Sequence, residues 1–299
     1  LEAIFYINEL LNRAGMDSIS AGNTVAYAIE CYEQGILTSE DTGGLELTWG
    51  NADAIIKLIE LMIAREGIGD ILADGVKIAV GKIGPASAEY AMHAGGQEPG
   101  MHDSRMDPMM GLHYSADPTP GKHTVGAAQY YNTTRLWEKV SWAPAVKRYP
   151  KDEEYVASDQ EALKAVASAC YKMVIDGVGG CLFAMIMGVQ HWQAFEWLNA
   201  ATGWDKTPDE YMEIGKRMQT LRQMFNIKHG IDPLKFKMSK RIVGDPPLQA
   251  GPLKGRQLPI DEMMRLYWKN FGWDERTGIP QELTVNNLGL PELLSWIED

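Results

Sequence analysis

Apolar side chains recur at three- and four-residue intervals along almost the whole of this chain. That period places them on one stripe of an α-helix, whereas a half-buried strand would show them at every second residue. Signals for strands are sparse, and residues 45–49 are the best candidate. The pattern therefore predicts a mainly α, multihelical fold made of two packed helical domains.

Start and stop signals set the bounds of the predicted helices. Asn51 is a suitable N-cap, and Thr207, Pro208 and Glu210 have the pattern of a capping box with proline at the first helical position. Helices are predicted over residues 2–14, 23–34, a segment that follows Asn51, 69–83, 160–175, 181–187, 192–201, 207–226, 261–270 and 291–297.

Glycine and proline are concentrated between positions 93 and 124. Because these residues favour turns, the segment is predicted to be a long, turn-rich loop system, and long loops inside compact domains are often functional. We place the domain boundary near residue 92. This gives a helical first domain, 1–92, and a second domain, 93–299, that is loop-rich at its start and then helical.

One six-residue pattern occurs twice, at residues 12–17 and 176–181. Each copy has a side-chain amide or carboxylate, two variable residues, a glycine, one further residue, and then Asp or Cys. Such a group can hydrogen-bond at several sites, glycine lets a ligand approach the backbone, and a following helix start offers free N–H groups. These features suit a flat heterocycle such as a pterin, but two helix ends with C-terminal glycines would give the same pattern.

Further segments accompany the two copies in a fixed order, including AREGIGDILADGV at residues 64–76. The others are residues 15–24, 49–51, 111–114, 121–123, 176–184, 198–204 and 271–274. Together they resemble the second and third domains of the aldehyde ferredoxin oxidoreductase family, the tungsten or molybdenum bis-pterin enzymes. The resemblance runs along nearly the whole chain, so it is far more specific than either six-residue copy alone.

The resemblance implies that each copy holds one pterin. The implied cofactor-binding residues are Asn12, Gly15, Met16, Asp17, Asp176, Gly179, Gly180 and Cys181. Cys181 would also be a metal ligand, since the family's cysteine at this place binds a [4Fe–4S] cluster. The alternatives are helix-end capping for the polar residues and a buried structural role for Cys181. The other two cysteines, Cys31 and Cys170, lie on apolar helix faces and are predicted to be in the core.

His123 is the candidate catalytic residue. It matches the family's histidine near the metal and the aldehyde, and a histidine can transfer protons near neutral pH. A solvated loop histidine is the alternative interpretation. His93, His102 and His113 lie in the same region, but their spacing does not support a zinc or iron site.

The family's activity implies oxidation of an aldehyde to a carboxylic acid with ferredoxin as electron acceptor. Its cofactors are a tungstopterin or molybdopterin pair and the cluster. We expect the family's N-terminal domain and the other three cluster cysteines to precede Leu1, so the chain alone is expected to be inactive and without cofactors. The alternatives are a ring-reducing acyl-CoA reductase subunit on the same scaffold and a cofactor-free helical interaction domain. The missing portion, ferredoxin and an aldehyde are the expected partners, and homodimers are frequent in the family.

Composition narrows the class of protein. The net charge of −12 argues against a nucleic-acid partner, which would need a basic face. No apolar run approaches the roughly 20 residues of a membrane span, so no membrane partner is expected. Three cysteines without a disulfide pattern favour a reducing cytoplasm.

Overall fold

The chain is mainly helical in the part that the computed structural model describes, which is residues 1–146, 152–188, 192–236 and 238–298. In those ranges there is no β-strand, and β pairing is limited to isolated bridges. The predicted mainly α, multihelical fold is therefore confirmed. None of the described helices combines the length and the apolar character needed to cross a bilayer.

The chain forms two compact units. The first consists of Leu1–Met101 and Met238–Ile242, and the second of His102–Lys237 and Val243–Asp299. The segment 238–242 thus returns to the first unit, where Arg241 forms two hydrogen bonds to the Glu30 carboxylate, at 2.9 and 3.2 Å. The predicted domain boundary near residue 92 stays a prediction.

Residues 93–101 lie in the first unit because they pair with the returning segment. Ala94 forms an isolated antiparallel bridge with Met238. The backbone N–H of His93 donates to Ser239 Oγ at 3.1 Å, and the Ser239 N–H donates to the His93 carbonyl at 3.0 Å. These bonds satisfy backbone groups that a loop would otherwise leave to water.

Five α-helices build the first unit. They are α1 (Glu2–Ala14), α2 (Ser18–Glu33), α3 (Ala52–Ala64), α4 (Ile68–Leu72) and α5 (Val76–Ile83). Their apolar stripes meet in one core, in which Tyr27, Ala28, Ile29, Leu58 and Leu72 are almost wholly buried. Helix α1 has the predicted bounds, and Asn51 Oδ1 caps α3 by accepting from the Ala54 N–H at 3.3 Å, as expected.

The second helix begins five residues before its predicted start at Asn23. Asp17 is its N-cap, and Asp17 Oδ2 accepts from the Ser20 N–H at 2.7 Å. This charged hydrogen bond at the positive end of the helix stabilises the additional first turn.

The prediction of one helix over residues 69–83 is wrong. Gly75 has a φ of 85°, a left-handed conformation that cannot belong to a right-handed helix, and α5 restarts at Val76. The buried Glu98 carboxylate accepts from the Val76 N–H at 2.7 Å and so satisfies one donor of the new helix start. The side chain of Glu98, which is distant in sequence, therefore stabilises the break between α4 and α5.

The strand predicted over residues 45–49 is also wrong. Leu47 is fully buried, which explains the strand-like alternation of apolar residues. However, the Leu45 carbonyl accepts from Thr42 Oγ1 at 2.8 Å instead of from a neighbouring strand. A turn therefore supplies the hydrogen bonds that a sheet would otherwise provide.

The second unit is built around one long buried helix. Its α-helices are α6 (Pro108–Ala116), α7 (Ala128–Thr134), α8 (Asp159–Gly177), α9 (Ala194–Thr202), α10 (Pro208–Lys228), α11 (Ile260–Phe271), α12 (Glu282–Asn287) and α13 (Ser295–Glu298). Helix α8 packs against α6, α7, α10 and α11. Helix α10 approaches α8 most closely. Where they meet, a Cβ atom added to Gly215 of α10 would lie only 2.1 Å from the carbonyl oxygen of Cys170 of α8. Cys170 and the first unit's Cys31 are both core residues, as predicted.

The capping box predicted at the start of α10 is confirmed. The Thr207 N–H donates to Glu210 Oε2 at 2.8 Å, and the Glu210 N–H donates to Thr207 Oγ1 at 3.3 Å. The predicted helix over residues 291–297 is a 3-10 helix, Pro291–Leu294, followed by α13.

The loop system predicted between 93 and 124 contains a helix that the sequence analysis did not predict. All nine residues of α6 are buried. Asp107 Oδ1 accepts from the N–H groups of Met110 and Ala128, at 3.0 and 3.1 Å, and Pro108 occupies the first helical position. This Asp-Pro pair is a standard start signal, but the surrounding density of glycine and proline obscured it.

His113 of α6 lies in the core of the second unit. The residue is fully buried, and within the described ranges neither ring nitrogen has a hydrogen-bond partner. The Tyr267 ring meets it edge-on with centroids 5.5 Å apart, and a Cβ atom at Gly126 would lie 2.4 Å from its Nε2. Burial lowers the pKa of His113 from 6.5 to about 4, despite an opposing effect of the Asp117 carboxylate. The imidazole is therefore neutral at pH 7.

We predict that acid weakens the second unit through His113. Its folded-state pKa lies below its unfolded value, so the unfolded chain binds a proton first, and stability is lost as the pH falls from 6.5 towards 4. The loss should reach about 3 kcal/mol over that window. Urea unfolding of the wild type and of His113→Leu at pH 7 and pH 4.5 measures it. Equal losses in both proteins would contradict the prediction.

Candidate cofactor-binding site

The first six-residue copy, residues 12–17, is a turn that ends α1. The Gly15 N–H donates to the Asn12 carbonyl at 3.2 Å, and the Met16 N–H donates to the Leu11 carbonyl at 3.0 Å. Gly15 has a φ of 68°, as expected for the left-handed residue that closes a helix. Asp17 follows as the N-cap of α2.

The second copy, residues 176–181, has the same backbone hydrogen bonds at the end of α8. The Gly179 N–H donates to the Asp176 carbonyl at 3.0 Å, and the Gly180 N–H donates to the Ile175 carbonyl at 2.8 Å. Gly179 has a φ of 74°. The two patterns therefore encode the same structure, a helix end closed by a left-handed glycine and followed by a helix start.

Helix capping and ligand binding are compatible at these turns because capping uses backbone atoms. Asn12 and Asp176 contribute their carbonyls to the turns, and both residues are exposed. A Cβ atom at Gly15 or Gly179 would meet no atom within 4 Å. The surface above each glycine is therefore open, and a flat ring could approach the peptide there.

Cys181 is the exposed thiol of the chain, whereas Cys31 and Cys170 are buried. Burial raises the pKa of Cys31 to about 11 and that of Cys170 to about 12, so both stay protonated. The Cys181 carbonyl accepts from the Met185 N–H at 3.1 Å. The predicted helix over 181–187 exists only in part, because a π-helix, Ala184–Gly188, occupies most of it.

Asp176 belongs to a cluster of charged groups that the sequence analysis did not single out. Lys172, one turn earlier in α8, is 6% exposed at its side chain and forms an ion pair with Asp176 Oδ1. Burial lowers the pKa of Lys122, and Asp176 opposes that shift, while Lys172 and Arg222 contribute to it. These charge interactions indicate that Lys122, the neighbour of His123, lies near the second six-residue copy.

A fully buried carboxylate holds the segment that leads to His123. Asp117 accepts from Gln219 Nε2 at 2.7 Å and from the Thr119 N–H at 2.8 Å. Arg222 lies 3.4 Å from Asp117 Oδ1. Because Gln219 and Arg222 belong to α10, the segment after α6 is fixed to that helix. Only the long-range fold could reveal this contact, since about one hundred residues separate its partners.

His123 is half-buried, and its ring centroid lies 5.2 Å from that of His102. The other candidates in this region lie elsewhere, since His113 is in the core and His93 belongs to the first unit. Among the described residues, no three His, Cys, Asp or Glu side chains are close enough together to hold a metal ion. His123 and Cys181 are thus single candidates and not parts of a complete metal site in that part of the chain.

A cavity of about 420 Å³ opens beside the same segment. It is lined by Pro118, Thr119, Leu221, Arg222, Phe225 and Asn226. Asn226 Nδ2 donates to the Pro118 carbonyl at 2.7 Å, so the wall is held in place. Its lining combines guanidinium, aromatic and aliphatic groups, and Leu221 and Phe225 are exposed, so the cavity is open to the surface.

The residues of both turns fit a pterin. Asp176 Oδ1 is paired with Lys172 and Asp17 Oδ2 with the Ser20 N–H, which leaves the second oxygen of each carboxylate to accept from an N–H or NH2 group of the ring. The exposed Cys181 thiol fits one ligand position of an iron–sulfur cluster.

Comparison with known proteins identifies the family. A family profile for aldehyde ferredoxin oxidoreductase, domains 2 and 3, matches residues 1–290. The tungsten-containing aldehyde ferredoxin oxidoreductase of Pyrococcus horikoshii is 32% identical over 299 residues, covering 98% of this chain and 46% of that protein. An aliphatic sulfonate oxidoreductase, WOR-like subunit, of Pyrococcus furiosus is 30% identical over 305 residues, covering 97% of this chain and 43% of that protein.

A solved structure has the same fold. It is the active-site complex BamBC of benzoyl-coenzyme A reductase with 1,5-dienoyl-CoA, of which one chain gives a TM-score of 0.64 at 23% identity. The match covers 95% of this chain and 45% of that chain. This chain thus spans about half the length of the proteins it matches. The chain belongs to the aldehyde ferredoxin oxidoreductase family and corresponds to its domains 2 and 3.

Proposed function

We propose that this chain is the helical part of a bis-pterin tungsten enzyme that oxidises aldehydes to carboxylic acids and passes the electrons to ferredoxin in the cytoplasm. The observation that carries the proposal is the pair of equivalent helix-end turns, each with an open left-handed glycine and an exposed polar side chain. Tungsten is favoured over molybdenum because the matched aldehyde oxidoreductases contain tungsten.

In this proposal the chain's residues bind and orient the cofactors. One pterin is held by the first copy, through Asn12, Gly15, Met16 and Asp17. The other is held by the second copy, through Asp176, Gly179, Gly180 and Cys181. When bound, the metal and the cluster would supply two-electron oxidation and one-electron transfer chemistry. Cys181 provides one cluster ligand, and the rest of the protein would supply the other three.

His123 is the proposed catalytic residue. Oxidation of an aldehyde to a carboxylic acid adds one oxygen from water and releases two protons and two electrons, and ionisation to the carboxylate releases a third proton. A proton acceptor is therefore needed beside the carbonyl carbon. A ring nitrogen of His123 can accept one of these protons and return it to solvent. Lys122 and Arg222 would provide positive charge near the carboxylate product, and the cavity beside Arg222 would hold its apolar part.

The full-length protein made anaerobically with tungstate tests this function. We expect ferredoxin-dependent oxidation of aldehydes, with His123→Gln lowering kcat by about 10²- to 10⁴-fold while tungsten and iron contents stay unchanged. Asp176→Asn should lower the tungsten content, and Cys181→Ser the iron content. Activity on a sulfonate or reduction of an aromatic acyl-CoA, without aldehyde oxidation, would favour a sister enzyme. Unchanged tungsten and iron contents in the last two variants would contradict the proposed site.

The chain alone should retain neither tungsten nor a cluster, because one cysteine cannot hold a cluster that needs four ligands. Metal analysis of the purified chain is the test. A content near about one tungsten and four iron per chain would reject the expectation that the other half is needed. A cofactor-free interaction domain would give the same empty result, so the full-length protein decides between the two.

Native thiol titration should detect one of the three cysteines. Cys181 is exposed, whereas burial keeps Cys31 and Cys170 protonated and inaccessible. We expect one reactive thiol per folded chain, three in guanidinium chloride, and none in folded Cys181→Ser. A second fast thiol in the folded protein would show that a core position opens readily.

A further inference from the structure

A second cavity of the same unit contains a lysine that the proposed cofactor site does not use. The cavity has a volume of about 360 Å³, which is within the usual range for small-molecule sites. It is lined by Trp142, Leu163, Val166, Asp209, Met212, Glu213, Lys216 and Asn270. These residues come from α8, α10, α11 and the segment before α8.

Polar residues at the rim of the cavity form hydrogen bonds with neighbouring segments, and Lys216 takes no part in these bonds. Asp209 Oδ1 accepts from the Ser141 N–H at 2.9 Å. Asn270 Nδ2 donates to Asp159 Oδ1 at 2.9 Å. Lys216, by contrast, forms no hydrogen bond or ion pair within the described part of the chain, although it is half-buried. Its amine is therefore available to a ligand.

The surroundings of Lys216 shift the pKa of its amine downward. Burial is the main cause, and the Glu213 carboxylate opposes the shift. Asp209, two turns earlier in α10, is the other charged group that lines the cavity. A desolvated lysine in an apolar pocket is the common form of an amine nucleophile.

The lining also selects the class of ligand. Trp142, Leu163, Val166 and Met212 offer an apolar wall. Two carboxylates beside one lysine disfavour an anion, because like charges repel strongly in a partly desolvated site. A small neutral molecule with an apolar body and an electrophilic carbonyl meets both conditions.

We propose that Lys216 captures small aldehydes in this cavity as a Schiff base. The amine nitrogen bonds to the carbonyl carbon, and one amine proton passes to the carbonyl oxygen. Loss of water then leaves a C=N bond, so the step needs neither an oxidant nor a reductant. Glu213, one turn before Lys216, is placed to relay the proton. The site does not depend on the cofactors, so its test is independent of the proposed function.

Reductive trapping tests the proposal on the chain as it stands. The protein is treated at pH 7 with benzaldehyde, or with propionaldehyde, in the presence of sodium cyanoborohydride, and the modified lysines are mapped by mass spectrometry. Lys57 and Lys235, whose side chains are 56% and 79% exposed, serve as internal references. We expect Lys216 to react at least about threefold faster than both, with a rate that saturates as the aldehyde concentration rises.

Two variants and one competitor complete the design. Lys216→Arg removes the primary amine and should abolish the fast, saturable labelling, whereas Trp142→Ala should slow it and leave Lys57 unchanged. Circular dichroism confirms that both variants fold. The proposal fails if Lys216 reacts no faster than the exposed lysines or without saturation, or if Trp142→Ala has no effect. It also fails if benzoate protects Lys216, because the cavity would then be an anion site.

Discussion

Helix α8 is enclosed by other helices, and nearly every residue from Ala162 to Ile175 is buried. Such a helix must satisfy any charge it carries, because an unpaired buried ammonium costs several kcal/mol. Two lysines lie in this buried stretch. Lys164 pairs with Glu161 and Lys172 with Asp176. The first residue of the second six-residue copy is thus also the counter-ion of the core helix.

This double role links the fold to the candidate site. A different orientation of the Asp176 side chain would leave Lys172 unpaired. The ion pair therefore keeps the Asp176 carboxylate at the end of α8, beside the candidate site. Asp117 has a similar effect on the segment before His123, because it ties that segment to α10. Both carboxylates arrange the candidate site through contacts within the protein, so a ligand there would find less ordering entropy to overcome.

The sequence predicted features that depend on neighbours a few residues apart. The capping box of α10, the Asn51 cap and the bounds of α1 are such features. It failed where a distant residue decides the local structure. Glu98 breaks the helix predicted over 69–83, and Asp117 and Arg222 acquire their roles only through tertiary contacts. The six-residue pattern located both turns but fits any helix that ends in glycine. The resemblance to the family compares whole segments, and it is the source of their proposed cofactor-binding role.

The close approach of α10 to α8 has a consequence for the remote end of the helix. Gly215 rests on the carbonyl of Cys170, six residues before Asp176, a distance of about 9 Å along the helix axis. A side chain at position 215 would push α8 aside there, and a stiff helix would carry the tilt to its end. Gly215 therefore fixes the position of α8 against α10. A substitution at this position would displace Asp176 and Cys181 as effectively as a change in either residue.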